Sequence, residues 1–338
     1  MLKYMEEIKM GISKLLYIPP RGIGDLIFSL PLLHSIHSKS PDTEIEIPIP
    51  NRASLKKMLD LIGFVNPCNI YLPTPSEDPL ARERWAAAQA GDNKRRYAAE
   101  KQIFEKYLAG QSYDFAILTK PFKIESLDAL QISRKDLEES GFDWKNAHTV
   151  DGFLAFASCM GIPAIKKFDL NFDKTAKAKF NDGRDIEIQE PYVLFNLGAS
   201  MNSKKLPATT YTEVASWLSE KNIQSILVGT PEEYSDSEKI KTAGEKVISL
   251  LSPTNFNVDL KNYAILASRC RATIGGDSGL LHLADAVGSS AIGLYGPTNP
   301  AKFAPYHNQT RVVSKYDSDR NMTNITSKEI ISKLEEII

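Results

Sequence analysis

Short apolar runs alternate with stretches whose apolar residues recur at helical spacing, and this alternation runs through the chain twice. In the first series, residues 13–19 read as a buried strand and 26–36 as a helical segment. Pro31 falls inside that segment. It must kink the helix or sit in its first turn, because proline removes a donor and crowds the turn before it. Residues 45–49 predict a strand, 53–62 a helix and 70–72 a short strand. The polar, basic, alanine-rich stretch 79–109 predicts a helix, 113–118 another strand, and 148–160 an amphipathic helix closed by Gly161. Residues 1–10 add little to the pattern.

The second series follows a linker candidate, residues 163–189, rich in Lys and Asp and poor in large apolar side chains. Strands are predicted over 192–197, 223–228 and 247–250, with helices over 208–220, 232–243 and 257–267. The segment 273–300, TIGGDSGLLHLADAVGSSAIGLYGPTNP, closes the series. In it, a strand at 272–274 leads into a Gly-Gly-Asp-Ser-Gly turn. A helix then places Leu280, Leu283, Ala284 and Val287 on one face, with Gly288 as its stop, and a strand over 291–295 ends at Gly296-Pro297. A last amphipathic helix, 326–338, opens at Thr326-Ser327. Strands alternating with helices in both halves predict parallel sheets covered by helices. The expected fold is α/β, with two Rossmann-like domains facing a central cleft, since ligands of such sheets bind outside the carboxyl ends of the strands. The expected boundaries are an N-terminal domain over 1–165, a C-terminal domain over 185–315, and a terminal segment and helix over 316–338.

Composition narrows the function classes. A chain of 338 residues, 42% hydrophobic and 25% charged, predicts a well-filled core in about two domains. A formal net charge of -1 gives no global attraction for nucleic acid, so none is expected as a partner. Cys68, Cys159 and Cys270 lie too far apart for a zinc spacing or a disulfide framework, which points to a reducing cytoplasm. No apolar run reaches the ~18 residues that span a membrane, and the first residues carry acids where a signal peptide needs an apolar core. The expected location is cytoplasmic, with at most a peripheral contact at the inner membrane.

Three constellations carry candidate chemistry. The first is Gly22-Ile23-Gly24-Asp25 after the first strand. It fails the dinucleotide fingerprint, because Ile27 stands where a third glycine is required. Asp25 reads either as a helix-capping aspartate or as a carboxylate acting as general base. The second is Asn196-Leu197-Gly198-Ala199-Ser200 followed by Ser203-Lys204-Lys205-Leu206-Pro207. Here a strand ends in a small-residue loop, with two lysines able to meet phosphate or simply solvent. The third is Gly275 to His282, in which a glycine-rich turn meets a helix start that favours anions. Asp277 or Ser278 could instead only cap that helix, and His282 could be a buried histidine with a backbone partner. Each constellation sits at the carboxyl end of a predicted strand.

In this order and spacing, the blocks GIGDLIFSLPLLHSIHSKSPDTEI, FNLGASMNSKKLPATTYTEVASWLSEKNIQSILVGTPEE and IGGDSGLLHLADAVGSSAIGLYGPTNP resemble glycosyltransferase family 9, the ADP-heptose:lipopolysaccharide heptosyltransferases. NAHTVDGFLAFASCMGIP is similar to the family segment that closes the first domain. The resemblance spans about residues 13–305. It implies a GT-B-type fold and an inverting, metal-independent glycosyltransferase with no cofactor beyond its nucleotide-sugar donor, ADP-heptose in the family. The implied acceptor is a lipopolysaccharide core or a related glycan. It implies Asp25 as catalytic base, with Arg21 and Gly24 on the acceptor side. It implies Lys204, Ser200, Gly276, Asp277, Ser278, Gly279 and His282 at the donor, with Ser278 replacing the usual threonine. Leu206 stands where the family often has an aromatic residue, and Pro19 where many members carry a basic one. The basic stretch with Arg82, Arg84, Lys94, Arg95, Arg96 and Lys101 reads as a site for a phosphorylated acceptor, an anionic membrane surface, or a solvated helix face. The alternatives to transfer are a sugar-nucleotide epimerase or hydrolase of the same fold, and a non-catalytic nucleotide-sugar-binding subunit.

Overall fold

The computed structural model describes residues 11–19, 22–48, 53–67, 73–184, 186–199, 201–255 and 257–338. Arg21, Ser200, Cys68 and the strand expected at 70–72 lie outside the described residues. The chain divides into two compact units, Met1–Asn171 and Phe172–Ile338.

In the first unit the elements run β1 (Lys14–Ile18), α1 (Ile23–Lys39), β2 (Glu44–Ile47), α2 (Ala53–Ile62), β3 (Asn66–Pro67), α3 (Pro79–Gln89), α4 (Asn93–Tyr107), β4 (Ser112–Leu118), β5 (Asp128–Ser133), α5 (Arg134–Glu139) and α6 (Thr149–Cys159). The strands form one parallel sheet in the order β3-β2-β1-β4-β5. Leu15 to Ile18 of β1 are all buried, as a strand covered on both faces requires. The strand order reverses beside β1, so the β1–α1 turn lies at a topological switch point.

One of the two places offered for Pro31 is excluded here, and two expectations change. Helix α1 continues past Pro31 to Lys39, so Pro31 sits neither in the first turn nor at its end. Burial of the stretch Leu26 to Leu33 outweighs the ~3 kcal/mol that an interior proline costs, and Ser35 Oγ donates to the Pro31 carbonyl at 2.7 Å. The basic stretch is two helices, not one. Asp78 caps α3 and Asp92 caps α4, each accepting backbone N–H bonds from the first turn. Strand β5 was not foreseen. It is an edge strand, half-covered over most of its length, and so shows little apolar periodicity.

The second unit runs β6 (Tyr192–Asn196), α7 (Ala208–Glu220), β7 (Gln224–Val228), α8 (Tyr234–Ile240), β8 (Val247–Ser249), α9 (Leu260–Arg269), β9 (Ala272–Gly276), α10 (Gly279–Ala286), β10 (Ala291–Tyr295), α11 (Pro300–Phe303), β11 (Val312–Ser314) and α12 (Ser327–Glu335). Its parallel sheet has the order β11-β10-β9-β6-β7-β8, a Rossmann arrangement with the order reversing between β6 and β9. Val193 and Phe195 of β6, Ile274 of β9 and Leu294 of β10 share one core with Val214 and Leu218 of α7. Ile330 and Leu334 of α12 complete that core, which makes the terminal helix part of the unit. A full capping box between Thr326 and Glu329 starts α12.

Strand β9 runs through Gly275 and Gly276, both buried, where a turn was expected. These glycines serve close packing instead. A Cβ on Gly275 would meet Asn196 Cβ at 2.8 Å, and one on Gly276 would meet the Lys204 carbonyl oxygen at 2.6 Å. Gly288 does end α10, in the left-handed region with φ at 96°.

Candidate functional site

At the switch point of the second sheet, β6 ends at Asn196, whose Oδ1 accepts the Tyr263 hydroxyl at 2.9 Å. The chain beyond it reaches a 3-10 turn, Asn202–Lys204, which rests on Gly276. Lys204 is thereby brought to the end of β9. Its Nζ donates to Asp277 Oδ2 at 2.6 Å, and His282 Nε2 lies 3.1 Å from Asp277 Oδ1. The three side chains are 15%, 11% and 3% exposed for Lys204, Asp277 and His282, so their charges act with little screening by water. Burial pushes the Asp277 carboxyl up, yet His282 and Lys204 outweigh it and hold it at about 2.

The alternative of a plain helix cap does not hold for α10. Asp277 is turned to Lys204 and His282, and Ser278, at the N-cap position, makes no capping bond. Among the described residues, the buried Ser278 hydroxyl has no hydrogen-bond partner. Helices α3, α4, α9 and α12 differ, because Asp78, Asp92, Asp259 and Thr326 close their starts. Thus α10, beginning at Gly279, presents first-turn N–H groups and an unbonded hydroxyl beside a lysine. Such a set can receive an anionic oxygen without losing any existing bond.

Two further features of this edge were not read from the sequence. Lys205 turns away from Lys204 and pairs with Glu233 at 2.5 Å. Glu233 is buried and also accepts the Thr230 N–H at 2.9 Å and its hydroxyl at 2.8 Å. Burial pushes Glu233 up, and Lys205 with Thr230 more than offsets this. The adjacent lysines therefore divide: one braces the β7–α8 turn and the other serves the α10 end. Thr298, in the turn after β10, carries a second buried hydroxyl with no partner among the described residues. A Gly-Pro-Thr turn at a strand end is its only sequence signal.

In the first unit, Asp25 lies in the first turn of α1, one residue after Gly24, at the carboxyl end of β1. Its Oδ2 accepts the Gly22 N–H at 2.9 Å, so the capping role is real. That bond occupies one lone pair of a half-buried carboxylate and fixes where the group points. Thr119 at the end of the neighbouring β4 donates its hydroxyl to the Ile18 carbonyl at 3.0 Å, tying the two strand ends together. The structure thus brings Lys204, Gly276, Asp277, Ser278, Gly279 and His282 into one cluster, while Gly24 and Asp25 belong to the other unit.

The Asp277 cluster has a measurable acid signature. A depressed carboxyl contributes stability that is fully present above its unfolded value of ~3.9 and is lost as pH falls through about 2. In urea unfolding, the wild type is expected to lose about 2 kcal/mol more than Asp277→Asn between pH 5 and pH 2. Equal losses would show that the cluster does not couple to the fold.

Residues 127–330, more than half of the chain, match the family described as Glycosyltransferase family 9 (heptosyltransferase). The lipopolysaccharide core heptosyltransferase OpsX of Haemophilus influenzae is 32% identical over 177 residues. That match spans 51% of this chain and 49% of that protein, about half of each. Lipopolysaccharide heptosyltransferase 2 of Salmonella typhimurium is 22% identical over 329 residues, covering 89% of this chain and 87% of that one. Among solved structures, the E. coli heptosyltransferase WaaC with ADP superposes with a TM-score of 0.68 at 17% identity, covering 96% of this chain and 100% of that chain. At that identity the likeness establishes the fold.

Proposed function

Since this chain belongs to glycosyltransferase family 9, we propose that it transfers heptose from ADP-heptose to a lipopolysaccharide-core or related glycan acceptor, with inversion and without a metal ion. The observation that carries the reading is the Lys204–Asp277–His282 cluster, set beside the uncapped start of α10 and the unbonded Ser278 hydroxyl. Relatives named as lipopolysaccharide heptosyltransferases, and a structural neighbour that holds ADP, support the same assignment.

The second unit binds the donor. The diphosphate sits on the first-turn N–H groups of α10, with the Ser278 hydroxyl and Lys204 Nζ as further donors. Asp277 keeps Lys204 and His282 in position before the donor arrives, so little reorganisation is needed as charge develops on the leaving diphosphate. The helix end and the lysine supply the field that a metal ion supplies elsewhere. The first unit binds the acceptor. Asp25, its carboxylate oriented by the Gly22 N–H, takes the proton of the acceptor hydroxyl as that oxygen attacks the anomeric carbon. The nucleoside diphosphate departs from the opposite face, so the configuration at that carbon inverts. Among the described residues no helix is long and apolar enough to cross a membrane.

The test is a native mass-spectrometric screen of the purified protein against a panel of nucleotide sugars, followed by turnover of the retained donor in the presence of EDTA. Retention of ADP-heptose and turnover indifferent to EDTA are expected. Preference for another nucleotide sugar, or activity lost to EDTA and restored by a divalent cation, contradicts the assignment.

A further inference from the structure

The α3–α4 hairpin carries an exposed tryptophan with Arg82 on the same helix face, and further uncompensated positive charge on α4. Trp85 is 52% exposed. The other two tryptophans are used within the fold: Trp144 packs edge-on against Phe153 and Phe156, and Trp217 packs against the second unit's core with Lys221 over its ring. Among the described residues, the Trp85 ring has no aromatic or cationic partner. Arg82, Trp85, Ala86 and Gln89 recur at helical spacing along α3, and all four are exposed, so they form one outward face. Ala90 and Gly91, also exposed, extend it to the hairpin tip.

Charge on this hairpin is unevenly satisfied. Its acids are already engaged: Glu83 pairs with Arg95 at 2.8 Å and Asp92 caps α4. Glu100 is buried 3.7 Å from Lys120, and Glu105 accepts the backbone N–H groups of Glu125 and Ser126. Lys101 and Lys106 are paired with Glu125 and Asp78. Arg82 and Lys94, both exposed, pair with no carboxylate among the described residues, although Arg82 Nε also donates to the Pro75 carbonyl at 3.3 Å. What the hairpin presents outward is therefore positive, on a chain whose formal charge is -1.

We infer that this hairpin docks on an anionic phospholipid surface, with Trp85 in the headgroup layer and Arg82 and Lys94 on lipid phosphates. An indole beside a cation on one helix face fits that layer, where its apolar ring and its polar N–H are both accommodated. Attraction between a few cations and an anionic leaflet acts within about 10 Å at ordinary salt, so the hairpin must lie against the surface. One tryptophan and two cations give weak, reversible binding rather than insertion. This inference goes beyond the transfer reaction and does not depend on it, because lipid binding is measured with neither donor nor acceptor present.

The experiment is cosedimentation of the full chain with vesicles of phosphatidylcholine alone and with vesicles that also contain phosphatidylglycerol. Binding to the anionic vesicles, with little to the neutral ones, is expected. Trp85→Ala should lower the partition coefficient roughly tenfold. The double variant Arg82→Glu, Lys94→Glu should remove binding, and added salt should weaken the wild type. Both variants change exposed side chains, so unaltered thermal unfolding serves as the folding control. Equal binding to neutral vesicles, anionic binding unaffected by both variants, or displacement by inorganic phosphate at constant ionic strength would each overturn the inference.

Discussion

Asp25→Asn is expected to lower sugar transfer by ~10²-fold or more while leaving the donor dissociation constant unchanged. The choice of asparagine matters, because Asp25 also accepts the Gly22 N–H at 2.9 Å. Asparagine keeps an oxygen for that bond and loses the ability to take a proton. Asp25→Ala loses both, and should in addition unfold more easily by about 1 kcal/mol, the usual worth of such a cap. The pair of variants therefore separates the two roles. If Asp25 were only a cap, Asp25→Asn would turn over nearly as fast as the wild type and only Asp25→Ala would be affected. The measurement is initial rate with saturating donor, alongside calorimetric titration of donor and urea unfolding of each variant.

The second large effect is at the donor. Lys204→Ala should weaken binding of the nucleoside diphosphate by roughly ten- to a hundredfold, the worth of one charge-assisted contact in a site nearly shut off from water. The substitution also leaves Asp277 without its cation, so the residual site is more negative and repels the diphosphate further. Gly276→Ala approaches the same contact from behind. Its Cβ would stand 2.6 Å from the Lys204 carbonyl oxygen, a backbone atom that can yield only if the Asn202–Lys204 turn moves. That variant should lose donor affinity by about tenfold and stability by about 1–3 kcal/mol, with every polar side chain of the site still present. Calorimetry with ADP reads both effects. An unchanged dissociation constant in Lys204→Ala would remove the lysine from the phosphate site.

The strands that bury both faces were readable from the sequence, because runs such as residues 193–195 and 291–294 leave no polar position to mark an exposed face. Strands β5 and β11 were not, since each lies on a sheet edge and carries little apolar signal. Glycine was the more instructive error. A Gly-Gly pair before Asp-Ser-Gly reads equally well as a turn or as two places where another chain segment comes close. The deciding neighbours, Asn196 and Lys204, are more than 70 residues away in sequence. For the same reason, the pairing of Lys204 with Asp277 could not be seen in advance, only that each stood at a strand end. The capping alternative for Asp277 fell because tertiary partners took its carboxylate. Asp25 shows the reverse, since the capping bond exists and orients the carboxylate it was set against as an alternative.

The central claim of the proposed function is that heptose moves in a single displacement at the anomeric carbon, with Asp25 as the base and the Lys204–α10 end holding the leaving diphosphate. Product stereochemistry tests it most directly. With ADP-heptose and a glycan acceptor, the account predicts one glycosidic product of configuration opposite to the donor, formed by wild type and absent with Asp25→Asn. A product that retains the donor's configuration, or release of free heptose at the same rate without acceptor, would contradict it.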